Sequence, residues 1–403
     1  MNPLLSLLKS DRPDKPDKND SREKPAPVPT PPSTKPHLDS INPPAAMPGG
    51  EVEVNGIHLG PTPHIPLATI GDIATPVLLS RPTRISLKVP EGSISGDVLI
   101  QTAVAISNPL YLRVAVPMAE NLHPVSNPAV DANGNIFATV SGARGQQVPV
   151  SIFSIQRDLQ IRPFVRELLN ATGLAFGPDG YLYCSSRAEG TIYRISPFNS
   201  LHEATVTTYA EGLGIATGIA FDAQGNLFVG DRTGTIFKIA PPHRATQPSA
   251  IQPSAIQFSG IQAEESSPES PAIFVHATLE PSMAAYHLAF NSTGTLFVTG
   301  PTTSSNQAIH AIDPNGNISI FYQGLGRAQG MAFDVYDNLY VAASLHGQRG
   351  IIRITPGKDP RATLAVSGQN LVGLAFLDDG CAALATRDAL YHVDLGIEGR
   401  RLI

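Results

Sequence analysis

Apolar and polar residues alternate in short runs along most of this chain, and Gly, Pro, Asn or Asp separates each run from the next. Examples are EVEVNGIHLG, RISLKVP, YLYCSS and NLFVGD. A period of two over four to eight residues is typical of half-buried strands. The 35 Gly, 37 Pro and 15% charged residues also favour short strands joined by turns over long helices. The sequence therefore predicts an all-β protein.

The N-terminal part of the chain divides into two segments of different composition. Residues 1–37 are charged and Pro-rich, as in SDRPDKPDKND and PAPVPTPP, and carry too few apolar side chains to form a core. We predict a disordered tail there. Residues 38–108 return to short alternating runs between turn residues, which predicts a compact β-sandwich.

The sandwich segment contains SINPPAAMPGGEVEVNGIHLG and then ATIGDIATPVLLSRPTRISLKVPEGSISGDVLI. A Pro ends its opening strand, a Gly-rich turn follows, and the next strand ends in a Gly-x-x-hydrophobic-Gly segment at residues 56–60. In these features, and in Pro90 and the Gly96 turn, the segment resembles the IPT/TIG family of immunoglobulin-like domains. The resemblance implies a spacer or interaction module rather than a catalyst.

Residues 109–403 contain one pattern six times: a small residue, a Gly, an apolar-Ala-Phe run, a Gly-bearing turn and an apolar strand. TGLAFGPDGYLYCSS, TGIAFDAQGNLFVGD and YHLAFNSTGTLFVTG are three of the copies. The second residues of the copies, spaced 46, 45, 69, 43 and 43 residues apart, are Asn127, Gly173, Gly218, His287, Gly330 and Gly373. A period in the low to middle forties is typical of one four-stranded propeller blade. The sequence thus predicts a six-bladed β-propeller behind an N-terminal immunoglobulin-like β-sandwich and a disordered tail.

Two irregularities of the repeat have a structural interpretation. The long interval contains the duplicated polar stretch QPSAIQPSAIQFSGIQ, which predicts a loop insertion at about residues 243–272. The last copy lacks a fourth strand, whereas YLRVAVPMA at residues 111–119 precedes the first copy. We expect this N-terminal segment to supply the outer strand of the last blade and close the ring.

The repeats resemble the NHL-repeat propellers and the gluconolactonase-like calcium propellers over about the last three-quarters of the chain. In the lactonase group, the resemblance implies metal ligands just before the Gly of each inner strand. Those positions hold Ser126, Thr172, Thr217, Tyr286, Gln329 and Val372. None is a carboxylate, and calcium normally recruits charged oxygen ligands. We therefore predict that the protein binds no metal ion and no cofactor. Calcium is expected only under the alternative in which the protein is a lactonase-like enzyme.

Further candidates for ligand binding at the propeller mouth follow the second strand of several repeats. They are Arg187, Asp231, Arg232, His346 and Arg387. A ring of such side chains could bind an anionic or sugar-like ligand, although solvated loop charges are the preferred interpretation. His287 replaces the usual Gly of its repeat and could contact a ligand or act as acid or base. A histidine that fills a wider blade is the simpler explanation.

The net charge and the absence of known catalytic and targeting motifs reduce the number of functions to consider. The net charge of -6 and the absence of a basic run within the predicted folded part argue against nucleic acid as a partner. Cys184 and Cys381 lie in apolar strand-like runs, which predicts buried thiols. No Gly-x-Ser-x-Gly, His-Glu-x-x-His or phosphate-loop motif is present. No signal peptide or membrane span is recognisable, so we expect a cytoplasmic protein, or an extracytoplasmic one if the gene start is misassigned.

These observations favour a non-enzymatic binding or interaction scaffold that uses a propeller mouth or face. We expect a monomeric propeller whose partner is a protein or a small polar ligand. No catalytic residue is assigned. The alternative is a gluconolactonase-like hydrolase, acting on a lactone or related ester, with a site rebuilt from Asp231, His287, His346 and the arginines.

Overall fold

The structure is a computed structural model that describes residues 35–60, 65–143, 145–196, 204–241, 270–302 and 307–400. Most of the predicted tail and nearly all of the predicted insertion lie outside these ranges. The described residues form strands and turns without a helix, so the all-β prediction is confirmed for this part of the chain. It follows that no helix within these ranges could cross a membrane.

The first nine strands form two facing layers. They are β1 (His37–Asn42), β2 (Ala45–Ala46), β3 (Glu51–Ile57), β4 (Leu67–Ile70), β5 (Ile73–Thr75), β6 (Val77–Arg81), β7 (Arg84–Lys88), β8 (Gly96–Gln101) and β9 (Leu110–Val114). One layer has the order β1-β3-β7-β6, and the other contains β5-β4-β8-β9. Burial alternates along β3 and β7, so that Val54 and Ile85 point inward and meet Ile70 and Ile100 of the other layer in one core.

The remaining strands form four-stranded sheets arranged as a β-propeller. They are β10 (Val116–Glu120), β11 (Ala129–Val130), β12 (Ile136–Thr139), β13 (Ile152–Ile155), β14 (Ile161–Val165), β15 (Ala171–Phe176), β16 (Leu182–Ser186), β17 (Thr191–Ile195), β18 (Val206–Ala210), β19 (Ala216–Phe221), β20 (Leu227–Asp231), β21 (Thr235–Ala240), β22 (Ala272–Thr278), β23 (His287–Phe290), β24 (Leu296–Thr299), β25 (Gln307–Ile312), β26 (Ile318–Leu325), β27 (Met331–Phe333), β28 (Leu339–Leu345), β29 (Gln348–Thr355), β30 (Arg361–Ser367), β31 (Leu371–Phe376), β32 (Cys381–Thr386) and β33 (Ala389–Asp394). The first strands of successive sheets contact one another in the cyclic order β11, β15, β19, β23, β27, β31 and back to β11. These inner strands surround a central axis.

The ring is closed by a strand from its N-terminal side. β10 pairs antiparallel with β33, which gives the last sheet the order β10-β33-β32-β31. The expectation that a segment within residues 111–119 completes the last sheet is confirmed for Val116, Pro117 and Ala119. The preceding strand β9 belongs instead to the sandwich, where it pairs with β8.

A continuous sheet joins the sandwich to the propeller. The two-residue strand β2 lies between β9 of the sandwich and β30 of the propeller and pairs parallel with both. Met47 N donates to Ser367 O (2.8 Å), and Glu51 N donates to Ser367 Oγ (2.9 Å). Because main-chain hydrogen bonds cross the junction, the two parts are held in a fixed orientation.

Both cysteines are free and buried in the second strands of their sheets, as predicted. Burial raises the pKa of the Cys184 thiol to about 12. This thiol is therefore protonated at neutral pH and is a poor nucleophile.

Candidate functional site: the central cavity

The inner strands lie close together at their first residues, which narrows the channel at that end. A Cβ placed on Gly330 would lie 2.6 Å from Gly373 Cα and 2.7 Å from Val372 O. A Cβ on Gly218 would lie 3.0 Å from His287 Cα. Only residues without a side chain fit such contacts between neighbouring main chains. We call this end, where the inner strands begin, the closed end.

Two polar residues stand at positions where the other copies of the repeat have glycine. Among the six equivalent positions, Asn127 and His287 are the two that are not glycine. Asn127 Nδ2 donates to Met331 O (2.7 Å), and its Oδ1 accepts from Leu374 N (3.2 Å). Asn127 therefore links the first sheet to the fifth and sixth sheets across the closed end.

His287 differs from Asn127 because its ring has no hydrogen-bond partner within the described ranges. His287 is 4% exposed, and burial lowers the pKa of its imidazole to about 4. The imidazole is therefore neutral at pH 7, with one nitrogen able to donate and the other able to accept. His287 is one of the residues that border the central cavity, so a molecule there could bond to its imidazole.

The central cavity has a volume of about 1040 Å³, slightly above the range of about 300–1,000 Å³ that is usual for small-molecule sites. The apolar residues that border it include Leu174, Ile219 and Leu288, which are 6–8% exposed. Side chains between the first and second sheets also border this volume and pack together in one hydrophobic cluster; they are Phe137, Phe164, Phe176, Leu182 and Ile195. Phe137 makes edge-to-face contacts with Phe164 and Phe176, at centroid distances of 4.8 and 5.3 Å.

The cavity opens at the opposite end, where hairpins join the first and second strands. Exposed lining residues at this open end include Asn133, Pro178 and Asp378. The hairpins are fixed by a recurring turn in which Asp131 Oδ1 accepts from Asn133 N (2.9 Å) and Asn135 N (2.8 Å). Asp222 and Asp334 accept equivalent bonds in their own hairpins. The Asp, Asn and Gly residues of the repeat thus have a structural role at the rim.

The C-terminal segment forms part of the rim. After β33 the chain turns back and lies beside the fifth sheet, where Val335 N donates to Glu398 O (3.1 Å) and Arg400 N donates to Phe333 O (2.9 Å). The Arg400 guanidinium contacts Asp337 Oδ1 at 2.8 Å. Residues 398–400 line the cavity and narrow its opening.

The residues predicted to lie at the propeller mouth are found at the closed end. Most of their side-chain polar groups donate hydrogen bonds to main-chain carbonyl oxygens. Ser126 Oγ donates to Thr172 O (2.6 Å), Thr172 Oγ1 to Asn170 O (2.9 Å) and Thr217 Oγ1 to Gly230 O (2.8 Å). The Tyr286 hydroxyl donates to Glu280 O, and Gln329 Nε2 donates to Leu371 O (3.2 Å). Val372 is buried in the core. Of this set, Ser126 borders the cavity.

The candidates after the second strands also lie towards the closed end, and none of them lines the cavity. Asp231 Oδ1 accepts from Ile215 N (2.8 Å) and Thr233 N (3.2 Å), so its carboxylate orders two loops. Arg187 Nη2 donates to Gly142 O (3.0 Å), and Arg232 Nε donates to Ser282 O (3.1 Å). His346 and Arg387 are exposed.

These placements show what the sequence reasoning missed. His287 was recognised because it breaks the Gly pattern, and Asn127 breaks the same pattern in the first copy. The C-terminal residues Glu398 and Arg400 follow the last repeat and carry no pattern that predicts a rim position. The aromatic cluster of Phe137, Phe164 and Phe176 arises from side chains of two sheets, which a single repeat does not reveal.

The donor set does not suit a divalent cation. Within the described ranges, no group of three or more His, Cys, Asp and Glu side chains converges. The positions that the calcium propellers use for ligands carry hydroxyl, amide or apolar side chains, most of them bonded to the main chain. Calcium favours several oxygen ligands with negative charge among them.

No protein-family model matches the sequence, and no curated protein matches it significantly. Solved structures with similar folds include a provisionally assigned gluconolactonase, 13% identical, which covers 72% of this chain and 94% of its own with a TM-score of 0.49. An auxiliary nutrient binding protein from Bacteroides ovatus is 11% identical and covers 89% of this chain and 97% of its own, with a TM-score of 0.47. The PQQ-bound aldose sugar dehydrogenase from Streptomyces coelicolor is 16% identical and covers 69% of this chain and 96% of its own, with a TM-score of 0.49.

Proposed function

We propose that this protein is a non-enzymatic binding protein that holds a small molecule in the central cavity, entered from the open end. In this proposal the ring is a six-bladed propeller, and β1–β9 form an IPT/TIG-like sandwich that presents it. The sheet continuity through β2 supports a rigid unit, because the sandwich cannot rotate freely about a junction with main-chain hydrogen bonds.

The observation that carries the proposal is the separation of the ionisable candidates from the cavity. His287 borders the cavity, whereas Asp231, His346 and the candidate arginines do not. General acid–base and nucleophilic catalysis require partner groups within hydrogen-bond reach of one another. His287 has no such partner within the described ranges, which supports binding rather than bond cleavage.

The test is a titration with N-phenyl-1-naphthylamine, an uncharged dye that fluoresces in apolar surroundings. Ala375 lines the cavity and is partly exposed there, so Ala375→Leu should fill part of the site. We expect saturable binding to the wild-type protein and at least tenfold weaker binding to Ala375→Leu. Absence of saturable binding, or equal binding by a folded Ala375→Leu variant, would refute the proposal.

The hydrolase alternative is tested separately by thermal unfolding with calcium and with chelator. A ligand that binds the folded state raises the melting temperature. We expect equal melting temperatures and no hydrolysis of a γ- or δ-lactone. A rise with calcium, together with lactone hydrolysis, would favour the alternative.

A further inference from the structure

We infer that the cavity selects an elongated, uncharged and mainly apolar molecule with one terminal hydrogen-bonding oxygen, such as a long-chain alcohol, and that His287 binds this oxygen. The inference rests on the proposed function and specifies its ligand class. It follows from three features of the cavity: the state of the His287 ring, the composition of the walls and the charge of the rim.

The first feature is the difference between His287 and the other polar side chains at the closed end. Ser126 and Asn127 also border the cavity, but both already donate to main-chain carbonyls. The His287 imidazole is neutral and lacks a partner within the described ranges. A ring nitrogen without a protein partner can bond to a ligand oxygen directly, whereas Ser126 and Asn127 would first have to give up an existing hydrogen bond to donate one.

The second feature is the apolar path that leads away from His287. His287 begins β23 of the fourth sheet, whereas Phe137 and Phe176 border the cavity from the first and second sheets. Leu174, Ile219 and Leu288 also border the cavity. A molecule with a hydrocarbon chain could therefore place its oxygen at His287 and bury the chain against apolar walls.

The third feature is the charge at the open end. Asp131, Asp378, Glu398 and Arg400 line the opening, and Arg400 is paired with Asp337. Arg157 contacts Asp378 at 3.3 Å, so four carboxylates face two guanidinium groups. This excess of negative charge disfavours anionic ligands, and a neutral imidazole offers a carboxylate no compensating charge.

The experiment measures displacement of N-phenyl-1-naphthylamine from the full chain by 1-decanol and by decanoate at pH 7.5. For the wild-type protein we expect 1-decanol to displace the dye at a concentration at least tenfold lower than decanoate. His287→Phe keeps a planar aromatic ring but removes both nitrogens, so 1-decanol should bind about tenfold more weakly to this variant. His287→Gln keeps a donor and an acceptor and should restore part of the affinity.

The outcomes separate this inference from the proposed function. If the dye binds but decanoate displaces it as well as 1-decanol does, the uncharged class is wrong. If 1-decanol binds equally to the wild-type protein and to folded His287→Phe, the role of His287 is wrong. If the dye does not bind to the wild-type protein, the proposed function itself fails. The comparison of the two ligands on the wild-type protein requires no variant and stands even if both variants misfold.

Discussion

The two ends of the central channel are built from the same inner strands but differ in packing. At the closed end, Gly218, Gly330 and Gly373 bring neighbouring main chains into contact, and Asn127 bonds across them. At the open end, the strands diverge into hairpins and leave a cavity of about 1040 Å³. Small residues at one end of each inner strand therefore stabilise the ring, whereas larger apolar residues further along the same strand border the cavity.

The largest expected effect comes from one methyl group added at the closed end. Gly330→Ala places a Cβ against Gly373 Cα and Val372 O, which are main-chain atoms that cannot move aside. We expect a loss of more than about 3 kcal/mol in the free energy of unfolding, measured by urea denaturation. Ala375→Leu at the open end adds more atoms but should cost less than about 1 kcal/mol. Similar losses for the two variants would contradict the difference between the ends.

The next effect concerns pH and the burial of His287. Its pKa is lowered to about 4 by burial, so between pH 6.5 and pH 4 the unfolded chain binds a proton that the folded chain does not. The contribution of the neutral His287 ring to the free energy of unfolding is fully present above pH 6.5. It decreases as the pH falls, and the loss reaches about 3 kcal/mol at pH 4.

His287→Phe should remove this part of the pH dependence, as measured by the free energy of unfolding at pH 7.5 and pH 4.5. His276 and His310, whose pKa values are also lowered mainly by burial, remain in both proteins and act as an internal control. A wild-type slope that persists in the variant would show that His287 is not buried as a neutral ring.

Removal of the Asn127 side-chain amide should have a smaller effect on stability. Asn127→Ala leaves Met331 O and Leu374 N without their side-chain partner at a part-buried site. We expect a loss of about 2 kcal/mol in the free energy of unfolding. The control is Asn133→Ala at the exposed rim, which should change stability by less than about 0.5 kcal/mol. Equal effects would mean that Asn127 does not hold the closed end together.

The smallest effect is expected at the C-terminal part of the rim. The Arg400–Asp337 pair is about one quarter exposed, so Arg400→Ala should cost less than about 1 kcal/mol of stability. Because residues 398–400 narrow the opening, the variant should bind N-phenyl-1-naphthylamine faster in stopped-flow fluorescence. An unchanged association rate would show that this segment does not limit entry.

The repeat pattern predicted the strands and their order because alternating burial and Gly-bearing turns are local properties of the chain. His287 was also recognisable, since it interrupts a regular Gly position. The location of the cavity was not predictable in the same way. Whether a channel is closed at one end depends on distances between different sheets, such as that between Gly330 and Gly373, and on side chains such as Asn127 that reach across them.

The predicted mouth residues illustrate the same limit. Ser126, Thr172 and Thr217 directly precede the equivalent inner-strand positions, but the sequence did not reveal that their hydroxyl groups donate hydrogen bonds to main-chain carbonyl oxygens. Similarly, Asp231 looked available for chemistry, whereas its carboxylate accepts main-chain hydrogen bonds from two loops. Hydrogen bonds between residues distant in the chain decide which polar side chains remain free for a ligand.

A crystal structure of the wild-type protein grown with 1-decanol tests the central claim most directly. We expect the alcohol to lie in the central cavity, with its oxygen within hydrogen-bond distance of a His287 ring nitrogen and its chain against the apolar wall. An empty cavity, or an alcohol bound only elsewhere on the surface, would contradict the claim that this protein binds its ligand between the closed and open ends of the ring.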